Sequence, residues 1–185
     1  MPSIFHYLFM RFIVILLFIF VIVYSPSLSQ ENRYLYPDYQ TYQFESIEIE
    51  GPLDFINMIY QGLIILKTRS YPHYKYVCNH TKKIIFQGTG KKMDVIAFTW
   101  HNGNDYGIYE IYFIARTVTV TNPDDYGPLI GSILVHESSH LAGWNEPDAY
   151  YFQIETLKAL KASQKIINYW EHKFAPLIKF RQTHR

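Results

Sequence analysis

The sequence predicts an α+β protein, and three observations carry that prediction. Apolar residues recur at helical spacing around residues 53–69, 129–141 and 149–170. Two runs rich in β-branched and aromatic residues, 95–100 and 109–121, flank an Asn-Gly pair. Glycine and proline punctuate the chain between these stretches. With 49% hydrophobic and 18% charged residues over 185 positions, the chain can bury one core, and no internal repeat divides it. Lys plus Arg number 17 and Asp plus Glu 16, a net charge of +1 without a run of one sign, so a nucleic-acid partner is not expected.

The first element is apolar. Residues Phe12 to Tyr24 form an unbroken apolar run, preceded by Arg11 and followed by Ser25-Pro26-Ser27-Leu28-Ser29. A basic flank, a short apolar run and small residues make a secretory signal peptide, with a cut after Ser29. Extended back to Ile4, the same segment is long enough to anchor the chain in a membrane through residues 4–24, with Arg11 snorkelling. Both readings put the remainder outside the cytoplasm, secreted or periplasmic in one case and membrane-anchored in the other. Residues 1–29 are therefore a signal peptide or anchor, 30–50 an irregular lead-in rich in Tyr, Gln and Glu, and 51–185 the folded domain.

Within that domain Pro52 opens a helix that runs to about Arg69, because its fixed φ suits a first turn and its missing N–H is not needed there. Tyr71-Pro72-His73 breaks it, and 74–85 is ambiguous between helix and strand. The runs 95–100 and 109–121 read as an antiparallel pair turning at Asn102-Gly103. After the loop Asn122-Pro123-Asp124-Asp125, a helix over 129–141 starts near Pro128 and closes at Gly143 in the left-handed conformation. A long C-terminal helix then follows from Ala149, Phe152, Thr156, Ala159, Ser163, Ile167 and Trp170 until Pro176. The single cysteine, Cys78, can form no intramolecular disulfide and reads as a small buried residue.

The chemistry lies in His136-Glu137-Ser138-Ser139-His140. Four residues apart on a helix, the two imidazoles share a face one turn apart, close enough to hold one tetrahedral Zn²⁺. Glu137 is rotated by about 100° from His136, past the ion, where it can take a proton from water as a general base. Random placement of these residue types gives about 0.02 such patterns in a chain of this composition, and the approach Leu129-Ile130-Gly131-Ser132-Ile133-Leu134-Val135 makes the helix a buried one, where unpartnered histidines are costly. A third ligand must come from nearby. Glu146, beyond the Gly143 turn at the start of the next helix, is the favoured candidate; Asp148 is the alternative, and Glu155 a more distant one. Tyr151, together with Tyr150, His101 and Tyr126, is a candidate donor to a transition-state oxyanion.

The run HESSHLAGWNEPDAYYFQ, residues 136–153, resembles the short zincin metallopeptidases. In these a helix carrying H-E-x-x-H is followed, after a Gly turn, by an acidic residue opening the next helix, with an Ala-Tyr pair just beyond. The resemblance covers about residues 129–157 and implies a zincin-like metallohydrolase domain over 51–185, with zinc on His136, His140 and Glu146 (the gluzincin-like arrangement) and Glu137 as base. The aspzincins instead supply an Asp followed three residues later by Tyr, as Asp148 and Tyr151 are, but their Gly-Thr before the Asp is absent. Metzincins place a ligand six residues after the second His, as Glu146 is, yet use His or Asp there, and no Met-turn is evident. The implied function is an exported zinc metallopeptidase acting on a peptide or protein substrate. The rival expectation is a non-catalytic metal-binding or interaction module of the cell envelope or extracellular space.

Overall fold

A computed structural model describes residues 36–88, 97–99, 110–113 and 120–183. Five strands and five α-helices make an α+β fold: β1 (Gln40–Phe44), β2 (Ile47–Gly51), α1 (Leu53–Arg69), α2 (Tyr71–His80), β3 (Lys83–Phe86), β4 (Ala97–Phe98), β5 (Glu110–Phe113), α3 (Tyr126–Leu141), α4 (Glu146–Ala159) and α5 (Gln164–Thr183). The strands form one sheet in the order β1-β2-β3-β5-β4.

The first difference from expectation is the lead-in. Residues 40–51 are not irregular but an antiparallel hairpin, pairing Gln40 with Gly51 and Phe44 with Ile47. Its signal is the alternation Ile47-Glu48-Ile49-Glu50: both isoleucines are fully buried, while both glutamates meet Lys83 Nζ on the neighbouring β3, at 2.8 and 2.7 Å. Glu45, with φ of 50°, makes the tight turn, and its carboxylate also bonds Lys67 Nζ and the Tyr74 hydroxyl.

The sheet is mixed where an antiparallel one was expected. β2 runs parallel to β3 because the helices α1 and α2 carry the chain back between them, and β3 also runs parallel to β5. Only β4 and β5 keep the expected antiparallel pairing, Ala97 with Phe113 and Phe98 with Tyr112, while the Asn102-Gly103 turn lies outside the described residues. The ambiguous stretch 74–85 divides into helix and strand. Ser70, at φ −149° and ψ 70°, ends α1, and Pro72 falls in the first turn of α2, so the proline that seemed to break a helix begins one.

α3 is the centre of the molecule. Every residue from Pro128 to Ser139 is buried, and the helix touches α1, α2, α4 and the β4–β5 end of the sheet. It crosses α1 at two glycines. A Cβ on Gly62 would lie 2.6 Å from Ile130 Cγ2 and 3.1 Å from the Gly131 nitrogen; one on Gly131 would meet Leu66 Cγ at 3.0 Å. The backbones therefore approach too closely for a side chain at either place.

The long C-terminal helix is in fact two. α4 ends in a left-handed Lys161, with Lys161 N–H donating to the Lys158 carbonyl and Ala162 N–H to that of Leu157, which closes the helix as a Schellman motif. Helical periodicity runs through this break, so the apolar pattern alone does not show it. Ser163 then precedes α5, and its N–H and hydroxyl both donate to the buried Asp125 carboxylate, at 2.6 and 2.5 Å. Asp125 thus ties the joint between α4 and α5 to the head of α3. Pro176, expected to end the helix, lies exposed inside α5, where the helix forgoes one N–H bond. Among the described residues no helix is long and apolar enough to cross a membrane, and the segment 1–29 lies outside them.

Two stability outcomes follow from this packing. Gly62→Ala should overpack the α1–α3 crossing and destabilise the fold by about 1–3 kcal/mol, read as a lower urea midpoint at unchanged m-value. Asp125→Ala removes a charged acceptor shared by two donors and should cost about 2–3 kcal/mol in the same measurement.

Candidate metal centre

The last two turns of α3 carry His136-Glu137-Ser138-Ser139-His140 in a helix buried on every side, where each polar group without a partner costs free energy. The serines return their hydroxyls to the helix, Ser138 to the Leu134 carbonyl and Ser139 to that of Val135, both at 2.7 Å, and Ser138 Oγ also meets Thr81 Oγ1 at 2.8 Å. The histidines turn to each other: their Nε2 atoms lie 3.1 Å apart.

How Glu146 reaches them is a matter of helix ends. α3 closes with Gly143 at φ 85°, Gly143 N–H donating to the His140 carbonyl and Trp144 N–H to that of Ser139. Asn145 immediately caps α4, its side-chain oxygen accepting from Asp148 N–H at 3.0 Å, with Pro147 in the first turn. Glu146 is consequently the first residue of α4, and its carboxylate sits over the imidazoles. Oε2 is 3.5 Å from His136 Nε2 and Oε1 is 3.6 Å from His140 Nε2.

These three side chains are the group of potential ligands that converges among the described residues, with all ligand atoms within 4.8 Å of one another. A tetrahedral ion with bonds of about 2.0–2.1 Å places its ligand atoms about 3.3–3.4 Å apart; the two Nε2 atoms at 3.1 Å, and each Nε2 with its own nearest carboxylate oxygen at 3.5 and 3.6 Å, lie close to that spacing. The outer nitrogen of His140 supports the same reading. Its Nδ1 lies 3.0 Å from the Trp144 carbonyl, which can only accept, so Nδ1 carries a proton and, whenever the ring is neutral, the lone pair is on Nε2, facing the cluster. Oε2 of Glu137 is buried beside the cluster without a hydrogen-bond partner.

The electrostatics follow from burial and the shared carboxylate. Contacts with His136 and then His140 hold the Glu146 carboxyl well below the usual range. Burial pushes His136 down, helped by the neighbouring His140 and opposed by Glu146 and the Ala149 backbone. Burial also opposes the charged form of His140, but Glu146, the Trp144 carbonyl and Glu137 together outweigh it and raise that pKa. Glu137 is pushed up to about 7, chiefly by burial, with Glu146 adding to the rise and His140 opposing it.

The other candidates fall elsewhere. Asp148 lines a separate cleft with Gly143, Trp144 and Asn145 and is not in the cluster. Glu155 pairs with Lys158 at 3.0 Å. Tyr151 lines a groove between α4 and α5 with Glu155, Lys158 and Glu171, so the donor role expected of it fits its neighbour better. The Tyr150 ring lies 4.4 Å from that of His136, and its phenol is pushed up to about 12, first by burial and then by the charges of Glu146 and Glu137. Tyr126 opens α3, ten residues and thus about 15 Å along the axis from His136. His101 lies outside the described residues, and Cys78 is half-buried on α2, apart from the cluster.

Sequence reasoning left two contributors unnamed. The Trp144 carbonyl acts through backbone geometry and leaves no residue signature, whereas Phe174, stacked on Tyr150 at 3.5 Å between centroids, belongs to a helix whose start was misplaced. Compared with protein-family models, curated proteins and solved structures, the chain finds no match in any of the three.

Metal content should separate the ligands from their neighbours. The purified protein is expected to hold about one zinc per chain by elemental analysis, His140→Ala and Glu146→Ala each to weaken zinc binding by about 100-fold or more, and Asp148→Ala to change it by less than about 3-fold.

Proposed function

We propose that the protein is an exported zinc-dependent hydrolase that cleaves peptide bonds, with His136, His140 and Glu146 holding the ion and Glu137 as general base. The observation that carries this reading is the convergence of two imidazoles and one carboxylate at ligand spacing, beside a second, buried carboxyl that is not part of the triangle. Two nitrogens and an oxygen suit zinc, and three protein ligands leave one position for water, the arrangement of a catalytic site. The resemblance of residues 129–157 to short zincins supports a peptide substrate, and the apolar run Phe12–Tyr24 supports an activity outside the cytoplasm, free or tethered.

Zinc bound there would lower the pKa of water and polarise a substrate carbonyl. The protein's own groups do the rest. Glu137, with a carboxyl pushed up to about 7 by its burial, accepts a proton from the water as its oxygen attacks the carbonyl carbon. It returns that proton to the amide nitrogen as the C–N bond breaks, leaving a carboxylic acid and an amine. Tyr150, with its pKa pushed up to about 12, keeps its phenolic proton at neutral pH and can donate it in a hydrogen bond as negative charge grows on the carbonyl oxygen.

Glu137→Gln is the decisive variant. It preserves shape and leaves the three ligands in place, so zinc stoichiometry should stay at the wild-type level while the rate of peptide hydrolysis falls by about 100-fold or more. Equal rates in the two proteins would remove Glu137 from the reaction, and a wild type that binds zinc but cleaves no peptide would leave the non-catalytic module.

A further inference from the structure

α5 presents a second feature, on the side of the molecule where the head of α3 meets it. A groove of about 460 Å³ lies between residues 120–129 and the first half of α5, within the size range of small-ligand sites. Val120, Leu129 and Trp170 give it an apolar lining, and the exposed Lys165 and Lys173, two turns apart on one face of α5, stand at its rim. The groove's one acidic residue, Asp125, spends its carboxylate on Ser163. Neither lysine pairs with a carboxylate among the described residues; Lys173 Nζ instead hangs over the rings of Tyr169, Trp170 and Phe174 at 5.7, 5.4 and 5.3 Å. Aromatic faces attract an ammonium group but bring no formal negative charge, so the groove keeps a positive rim over an apolar floor.

The groove is joined to the metal centre by rings. Trp170 stacks on Phe174 with centroids 5.4 Å apart, Phe174 on Tyr150 at 3.5 Å, and Tyr150 lies 4.4 Å from the His136 ring. An extended peptide advances about 3.3–3.6 Å per residue, so these three steps end to end amount to at most about four residues of one chain.

We propose that this groove is a substrate subsite that takes an aromatic side chain followed by a carboxylate, so that the preferred peptides carry an aromatic-acidic pair within about four residues of the bond cleaved. The inference rests on the hydrolase reading for the word substrate, but the recognition itself needs only the groove. Trp170 and Leu129 bury the ring, and Lys165 and Lys173 receive the carboxylate. Choice among peptides then comes from charge at the rim, which also makes it sensitive to salt.

The test is binding to the full chain carrying Glu137→Gln, loaded with zinc, followed by calorimetry. Three blocked hexapeptides serve as probes, identical except for one pair of residues: Phe-Glu, Phe-Lys or Ala-Glu. The Phe-Glu peptide is expected to bind about 10-fold tighter than either of the others, and the margin over Phe-Lys should shrink between about 0.05 and 0.5 M salt. Adding Lys165→Gln and Lys173→Gln should reduce that margin to within about 3-fold, and Lys165→Glu with Lys173→Glu should invert it, with circular dichroism and zinc content unchanged. Equal affinity for the three peptides, or a margin indifferent to both double variants, overturns the proposal. So does a dimer in sedimentation that the glutamate variant dissolves, which would give the groove to a second copy of the chain. Cleavage by the wild type keeps the two readings apart: selective binding without turnover defeats the hydrolase and spares the groove, whereas turnover without selectivity defeats the groove alone.

Discussion

The four-residue connection from Ala142 to Asn145 determines the metal centre. Gly143 takes the left-handed conformation that a residue with a Cβ adopts only at a cost, and Asn145 starts the next helix by capping it. Between them they leave no slack, and Glu146 lands over two imidazoles on the preceding helix. The same connection supplies the Trp144 carbonyl that orients His140. The placement of Glu146 and the carbonyl that orients His140 therefore both depend on one short piece of backbone.

α3 can carry this burden because it is held on all sides. Its crossing with α1 at Gly62 and Gly131 brings backbone against backbone, and its buried serines return their hydroxyls to its own carbonyls. Its His136 and Glu137 side chains are desolvated instead, and that burial raises the pKa of Glu137 and lowers that of His136.

Much of this was legible in the sequence where one residue type has one physical meaning. The four-residue spacing of His136 and His140, the glycine at 143 and the acidic residue after it all read locally, and the structure brings these three side chains together as a group that could hold a metal ion. The α+β class also read correctly, from helical and alternating periods. Strand direction did not, because parallel pairing of β2 with β3 is decided by where α1 and α2 return the chain, and that of β3 with β5 by the connection through β4, which no local pattern records. The Ile-Glu alternation at 47–50 was readable as a strand but lay hidden in a polar, Tyr-rich stretch. The end of α4 was hidden differently: Lys161 sits in a conformation usually given to glycine or asparagine, and the apolar stripe passes through it unbroken. Tyr150 and Tyr151 differ only by about 100° of rotation, and the placement of α5 decides which of them meets His136.

The stack of Trp170, Phe174, Tyr150 and His136 ties a candidate ligand ring to α5. An ion held by His136 would restrict the rings leaning on it, and a tightened seat of α5 would favour that ion by the same free energy, since such coupling is reciprocal. Ion occupancy and the anchoring of the C-terminal helix would in this sense be one equilibrium seen from two ends.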